Sequence, residues 1–397
     1  MKTLLATLGL LTLSASQGAS QPFFNNLNIQ SSELSLVEYV DQNKRSDQWF
    51  AYSIPAAEET RSMCCYQHGE ESVCDLKKSQ YGYGSSSDSP LTDQVHFFVH
   101  LNNGQVDQVM PVGDHCAVKA DGMEIAWLEH VTTTQSLQWL TTQVKSAAQE
   151  QASGGLYAIS LHPGQAATSA LFALATEQQD DYSEQAVFWL GQRQDGFASL
   201  QKLLQELPVG EVRRHINFAL SQQHSTTAVD LLKEVAQHDQ DQQQQADAIF
   251  WLSQTDDVVD LPAFLIDLMS HTEHLEIKEK AVFSLSQINT EAAKEALAGL
   301  VKDHLDEEVR EQALFWLAQN SPDRARPVAM NVLRTSVDAS QQEHAVFVLS
   351  QLPGKQSSEA LFTVVEGAYP RSVKKQALFW LSQSGDDAVI SRLEQLF

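Results

Sequence analysis

The sequence predicts a mainly α-helical protein, in which an α-solenoid of helix pairs follows a small, disulfide-stapled β-rich (α+β) domain. A seven-residue motif, ALFWLAQ in its clearest copy, recurs with its final Gln at steps of 30, 32, 33, 32, 32 and 32 residues. A constant period in this range marks stacked units that cannot bury their apolar faces alone. Apolar residues inside each unit are spaced as on one face of a helix. All four cysteines lie outside the repeats, in the first third of the chain.

Residues 1–20 have the features of a secretory signal peptide. Lys2 precedes an apolar run from Leu4 to Leu13, and a stretch of small residues follows, so we expect cleavage near residues 16–20. The apolar run is too short to span a bilayer. The sequence therefore predicts an exported protein, periplasmic or secreted, without membrane insertion.

Residues 21–130 predict the β-rich domain. Alternating apolar residues indicate strands at 47–54, 63–66, 94–101, 105–110 and 122–128, and Asn103-Gly104 favours a tight hairpin turn. A short helix is expected from Glu33 to Tyr39, capped by Ser31 or Ser32. The Gly- and Ser-rich residues 80–90 predict a loop without regular structure. A helix at 132–149 is expected to lead out of this domain.

The four cysteines, Cys64, Cys65, Cys74 and Cys116, predict two disulfides, because an even number in an exported protein is typical of a disulfide framework. Adjacent cysteines rarely bond to each other. We therefore expect Cys64 and Cys65 to pair outward, with Cys74 and Cys116 in either order. The alternative is a metal site that also uses His68 or His115, but the spacing lacks the paired CxxC of structural zinc sites. We predict no metal and no other cofactor.

Residues 131–397 predict the solenoid, with about eight repeats. Gly155–Leu161 aligns with the motif if Tyr157 takes the Phe position, which gives a degenerate first repeat. In the unit around residue 330, we expect a first helix at 324–334, a turn at 336–340 and a second helix at 341–351. The residue after the motif Phe alternates between Trp and a smaller residue. This alternation predicts that the Trp side chains are buried between repeats.

The segment Asp306–Ala313 (DEEVREQA), followed by LFWLAQ, resembles the second helix of a HEAT repeat. In that family an Asp-x-x-Val-Arg sequence precedes an Ala and a Leu that pack inward. The resemblance covers about residues 150–397, although the unit around residue 245 lacks the Val-Arg pair. It implies a binding scaffold whose second helices line a concave surface. Residues 49–127 resemble a cysteine-containing domain joined to HEAT repeats in uncharacterised exported bacterial proteins.

On a helical wheel the motif Phe and Gln lie on the outward face of the second helix, opposite the inward Ala and Leu. Aromatic faces edged by amides suit an extended peptide, because the rings supply apolar area and Gln offers donors and acceptors to a backbone. The alternative is that the rings fill seams between second helices and the amides tie repeats together. The predicted partner-binding residues are Phe188, Phe218, Phe250, Phe283, Phe315, Phe347, Phe379, Gln192, Gln222, Gln254, Gln287, Gln319, Gln351 and Gln383.

The sequence contains no GxSxG, HExxH or GxxxxGK[ST] signature, and His271 and His274 fall in a polar turn. The net charge is −25, with 26 Lys and Arg against 51 Asp and Glu, which argues against nucleic acid as a partner. We therefore predict a non-enzymatic scaffold that binds an exported or envelope protein or an extended peptide. The alternatives are an enzyme resembling the HEAT-like lyases that attach bilins, or carbohydrate or small-molecule binding by the N-terminal domain.

Overall fold

The computed structural model describes residues 27–396, except 68–69, 78–81, 85–88, 147–148, 178–179, 256–257 and 259. The predicted signal peptide lies outside the described residues. The chain forms two compact units, Met1–Trp189 and Leu190–Phe397. Among the described residues, no helix is both long and apolar enough to cross a membrane.

The first unit combines short strands with helices. Its described strands are β1 (Asn28–Ser32), β2 (Asp47–Pro55), β3 (Cys64–Gln67), β4 (Glu70–Ser72), β5 (Cys74–Asp75), β6 (Gly82–Gly84), β7 (Gln94–Asn102), β8 (Gln105–Gly113), β9 (Val118–Lys119) and β10 (Glu124–Leu128). Its helices are α1 (Leu36–Gln42), α2 (Thr133–Ser146), α3 (Gln149–Ser160) and α4 (Gln165–Thr176), and α5 (Asp180–Gln192) continues past the division between the units.

A five-stranded sheet in the order β1-β10-β2-β7-β8 forms the centre of the first unit. Pairing is parallel between β1, β10 and β2, and antiparallel between β2, β7 and β8. On one face Phe50 contacts Tyr39 of α1 and Trp139 of α2, with ring centroids 5.4 and 5.9 Å apart. On the other face Phe98 and Met110 belong to the core that contains the cysteines. Both faces are covered, so β2 and β7 are buried along most of their length.

The two predicted disulfides are confirmed, and the structure gives their order. Cys64 bonds to Cys116 and Cys65 bonds to Cys74, each with a Cα–Cα distance of 5.2 Å. The pairing of β5 with β9 adds backbone hydrogen bonds beside these links. The disulfides therefore join β3 to β5 and to the segment between β8 and β9.

The hairpin forms as predicted, whereas two other local predictions are wrong. Asn103 and Gly104 have φ angles of 51° and 78°, and a Cβ on Gly104 would lie 2.7 Å from the Lys44 carbonyl oxygen. The first helix is capped by Ser35 in a capping box with Glu38, because the predicted caps belong to β1. Residues 82–84 form β6, paired with β3, although the predicted loop allowed no regular element. The remaining loop residues 80–81 and 85–88 lie outside the described residues.

The second unit is built from alternating first and second helices. The first helices are α6 (Phe197–Glu206), α8 (Thr226–His238), α10 (Leu261–His271), α12 (Glu291–Asp303), α14 (Pro322–Thr335), α16 (Lys355–Glu366) and α18 (Asp387–Glu394). The second helices, which carry the motif, are α7 (Glu211–Ser221), α9 (Gln242–Ser253), α11 (Leu275–Gln287), α13 (Glu307–Asn320), α15 (Ala339–Ser350) and α17 (Arg371–Ser382).

Each second helix packs against the first helix of its own repeat and against the next second helix. The inward positions of α13, Ala313 and Leu317, are fully buried, as the helical wheel predicted. This arrangement confirms the HEAT-like α-solenoid. The helix at the start of the predicted solenoid, α3, packs on β8 in the first unit. The exact domain boundary near residue 130 stays a prediction.

Candidate binding surface

An unbroken series of ring contacts runs along the second helices of the second unit. Phe218 contacts Trp251 at 4.6 Å between centroids, and Phe250 contacts Phe283 at 6.4 Å. Such distances are typical of favourable aromatic pairs. The complete series, here named the aromatic ladder, is Phe218, Trp251, Phe250, Phe283, Trp316, Phe315, Phe347, Trp380 and Phe379.

The predicted Phe positions are neither wholly core nor wholly exposed. Those from Phe188 to Phe347 are partly buried, and Phe379 is 50% exposed. In the first unit Phe188 contacts Trp189, which stacks on Tyr157 at 4.7 Å, so Tyr157 does take the place of a motif Phe. The rings therefore fill seams between helices and also leave aromatic surface accessible.

The predicted burial of the Trp side chains is wrong in degree. Trp251, Trp316 and Trp380 are only partly buried, whereas the smaller residues at the alternate positions, such as Ser284, are fully buried. The physical reason is that each indole lies against the Phe of the preceding repeat, on the outward face. Trp316, for example, contacts Phe283 at 5.2 Å. The Trp residues are thus part of the ladder rather than of the inner core.

The motif Gln residues lie at the C-terminal ends of the second helices. All are exposed except Gln222, which is partly buried. Gln222, Gln254, Gln287 and Gln351 each donate a side-chain N–H to the hydroxyl of the preceding Ser. That Ser in turn donates to the carbonyl of the motif Phe, as Ser286 does to Phe283. These bonds stay inside one repeat and keep the amides beside the ladder.

Other polar side chains make the hydrogen bonds between repeats, and the sequence did not single them out. Gln223 donates to the carbonyls of Gly191 and Arg193 at 2.5 and 2.9 Å. Asn320 donates to the carbonyl of Ser286 at 2.7 Å. Each directly follows a motif Gln in the sequence. The only signal that sequence reasoning could have used was this second amide after the motif.

An open cavity of about 330 Å³ lies on the ladder face, among α11, α13 and α15. Phe315 and Phe347 form its aromatic part, with nearly parallel rings 6.3 Å apart. A volume of this size is at the lower end of the range for ligand pockets. The lining residues are Glu279, Glu308, Glu311, Gln312, Phe315, His344 and Phe347.

Carboxylates dominate the electrostatics of this cavity. Burial raises the pKa of Glu311, and the charges of Glu307 and Glu308 raise it further, while His344 opposes them. The His344 Nε2–H donates to the backbone carbonyl oxygen of Glu311 at 3.0 Å. His344 Nδ1 lies 3.9 Å from the side-chain carboxylate of Glu311. Gln312 donates to Glu279 at 2.8 Å. None of the described lining residues is Lys or Arg.

A buried Ser–His–Asp chain crosses the sheet of the first unit, and no sequence pattern pointed to it. Ser53 Oγ lies 2.6 Å from His96 Nδ1, and His96 Nε2 lies 3.0 Å from Asp114 Oδ1. Ser53 and His96 are directly opposite on β2 and β7. The imidazole is fully buried, and each of its nitrogens lies within hydrogen-bond distance of a neighbouring side chain. Asp114 also accepts from the N–H groups of Asp93 and Gln94, so the network ties the segment after β8 to the start of β7.

Other histidines, some exposed and some partly buried, also lie near carboxylates. His271 and His274 lie at a helix end and in the following turn, as predicted, and both are exposed. Glu33, Glu129 and His130 bring ligand atoms within 4.8 Å of one another on the surface of the first unit. Such exposed acidic groups are common without an ion, and the sequence did not predict this group.

No protein-family model matches the sequence, and no curated protein is similar to it. Among solved structures, the chain is similar to an archaeal HEAT-like repeats protein from Thermococcus onnurineus at 13% identity, covering 65% of this chain and 98% of that one, with a TM-score of 0.29. It is similar to the complex of CpcE and CpcF of phycocyanin lyase from Nostoc at 20% identity, covering 58% and 94%, with a TM-score of 0.29. Human deoxyhypusine hydroxylase is 17% identical, covering 63% and 96%, with a TM-score of 0.28. At these TM-scores the likenesses carry no argument, and the architecture rests on the helix pairs themselves.

Proposed function

We propose that this protein is a non-enzymatic scaffold that binds an extended polypeptide along its second helices. The observation that carries the proposal is the aromatic ladder, which presents partly exposed rings on six consecutive second helices from α7 to α17. Rings supply apolar contact area at a low entropic cost. A surface repeated from helix to helix suits a ligand that is itself repetitive, as an extended backbone is.

The Gln residues at the ends of the second helices support the same function. Their amides are exposed beside the rings, and the hydrogen bond to the preceding Ser uses only one of the two amide N–H donors. The other donor and the carbonyl oxygen can bind a peptide backbone. An extended chain needs such partners because its N–H and C=O groups are not paired internally.

The proposed partner is itself an exported or envelope protein. The two disulfides indicate an oxidising compartment. Residues 1–20 have the composition of a signal peptide, which supports export to the periplasm or the medium.

The proposal is tested with a displayed library of random 12-residue peptides selected on the wild-type protein. An enriched peptide is then titrated by fluorescence anisotropy against wild type, Phe283→Ser/Phe315→Ser and the control Leu305→Ser. Leu305 is 93% exposed and lies in the turn between α12 and α13, away from the ladder. We expect the double variant to bind at least about 10-fold more weakly and the control to bind like wild type.

Circular dichroism checks the fold of each variant. If the ladder variant is folded and binds as tightly as wild type, the proposal is wrong. If it unfolds, Gln287→Ala/Gln319→Ala replaces it, because both side chains are exposed. Unchanged binding by that folded variant contradicts the proposed role of the amides.

A further inference from the structure

A row of carboxylates accompanies the aromatic ladder on three neighbouring second helices. Glu279, Glu311 and Glu343 each precede the ladder Phe of their helix by four residues, and they repeat at 32-residue intervals. All three are partly buried, and Glu279 and Glu311 line the cavity. The same position is Ala246 on α9 and Lys375 on α17, so the row is confined to α11, α13 and α15.

The charge of this row is only partly compensated within the protein. Gln312 donates to Glu279, and His344 and Arg310 bring positive or titratable charge near Glu311. Glu308, three residues before Glu311 on the same helix face, adds a further negative charge to the cavity. Burial raises the pKa of Glu311, and the charges of Glu307 and Glu308 add to this against the opposing effects of His344 and Arg310. A cationic ligand would relieve this repulsion.

The rings of the cavity favour the same ligand chemistry. Phe315 and Phe347 present their aromatic surface beside the carboxylates. A Lys or Arg side chain can lay its alkyl part on a ring while its charged end reaches a carboxylate. A cavity of about 330 Å³ is large enough for such a side chain.

The spacing of the row selects a backbone conformation. Packed neighbouring helices lie about 8–10 Å apart. A polyproline II helix advances about 9 Å in three residues, and its three-residue turn places every third side chain on one side. A β-strand turns residues i and i+3 to opposite sides.

We propose that the occupant of the ladder face is a polyproline II segment with a Lys or Arg at every third position. One basic side chain would reach Glu279, the next Glu311 and the next Glu343. This inference rests on the proposed function, because it names the polypeptide that the ladder binds. It gives a role to carboxylates that recur at the repeat period on three neighbouring second helices.

The test uses two labelled peptides with the same composition, acetyl-(Lys-Pro-Pro)4-amide and acetyl-(Lys-Lys-Pro-Pro-Pro-Pro)2-amide. They have the same charge and both favour polyproline II, so they differ only in the spacing of the lysines. We expect wild type to bind the regular peptide at least about 10-fold more tightly. Glu279→Gln/Glu311→Gln should abolish that preference. Glu295→Gln/Glu359→Gln should keep it, since it removes the same charge from exposed positions on α12 and α16.

Equal binding of the two peptides by wild type, or a preference that survives Glu279→Gln/Glu311→Gln, overturns the inference. Failure of the proposed function looks different. If neither lysine peptide binds but library-selected peptides still require Phe283 and Phe315, the ladder binds polypeptides and only the basic, three-residue pattern is wrong. If the selected peptides do not require these rings either, the proposed function fails together with the inference.

Discussion

His96 is a buried base whose protonation is linked to folding. Burial lowers its pKa below the usual value of 6.5, although Asp114 opposes this effect. As pH falls below about 6.5, the unfolded chain therefore binds a proton that the folded protein does not, and stability is lost. The pKa of Asp114 is also lowered: burial raises it, but hydrogen bonds from the Gln94 N–H, the Thr92 hydroxyl and His96 outweigh that. Asp114 therefore contributes stability above its unfolded pKa and loses it only at more acidic pH.

We predict that the first unit loses stability between pH 7 and 5, and that His96→Gln reduces this pH dependence. The variant should be less stable at pH 7, by about 1–3 kcal/mol, because a buried hydrogen-bonding partner is lost. The measurement is hydrogen exchange of the β2 and β7 amides, corrected for the intrinsic rate at each pH. His130→Gln, an exposed position, is the control. If the stability of His96→Gln depends on pH as steeply as that of wild type, another group governs the pH response.

At the scale of the helices, two adjacent amides have different tasks. Gln222 caps its own helix and donates to Ser221. Gln223 instead donates to the backbone carbonyls of Gly191 and Arg193, at the end of the motif helix one repeat earlier. Both side chains are partly buried. The difference between them lies in which carbonyl or hydroxyl groups they satisfy.

We predict that Gln223→Ala destabilises the second unit by about 1–3 kcal/mol, because it removes the side-chain donor to the carbonyls of Leu190, Gly191 and Arg193. Gln222→Ala should change stability by no more than about 0.5 kcal/mol. Urea unfolding followed by far-ultraviolet circular dichroism measures both, since this unit is helical. Equal losses for the two variants would refute the distinction.

The sequence was informative where structure depends on local pattern. The repeat period predicted the second helices, and the helical wheel predicted that Ala313 and Leu317 face inward. Both predictions succeed because they depend only on residue spacing within one unit. Neither predicts whether Gln222 or Gln223 reaches another helix, since that depends on how repeats stack. The Ser53–His96 contact likewise requires the register of two distant strands. Strand β6 forms despite its glycines because β3 offers it a pairing edge.

At the scale of the molecule, covalent and electrostatic features are concentrated in different places. All four cysteines belong to the first unit, where the disulfides enter a core that lies on one face of the sheet. The carboxylate row and the cavity belong to the second unit, which has no cysteine. The net charge of −25 is therefore not only a matter of solubility, since part of it is arranged at the repeat period.

The two disulfides close loops of very different length, and this predicts unequal contributions to stability. Cys64–Cys116 spans 52 residues, whereas Cys65–Cys74 spans 9. Loop-closure entropy gives about 4 kcal/mol for the longer loop and about 2.5 kcal/mol for the shorter one. Cys64→Ser/Cys116→Ser should therefore destabilise the first unit more than Cys65→Ser/Cys74→Ser does. Pulse proteolysis in urea, with fragments assigned by mass spectrometry, measures each loss, and fragments from the cysteine-free second unit serve as the reference. A larger loss from the shorter link would mean that packing of the cysteines around Cys65, rather than restriction of the unfolded chain, sets the stabilisation.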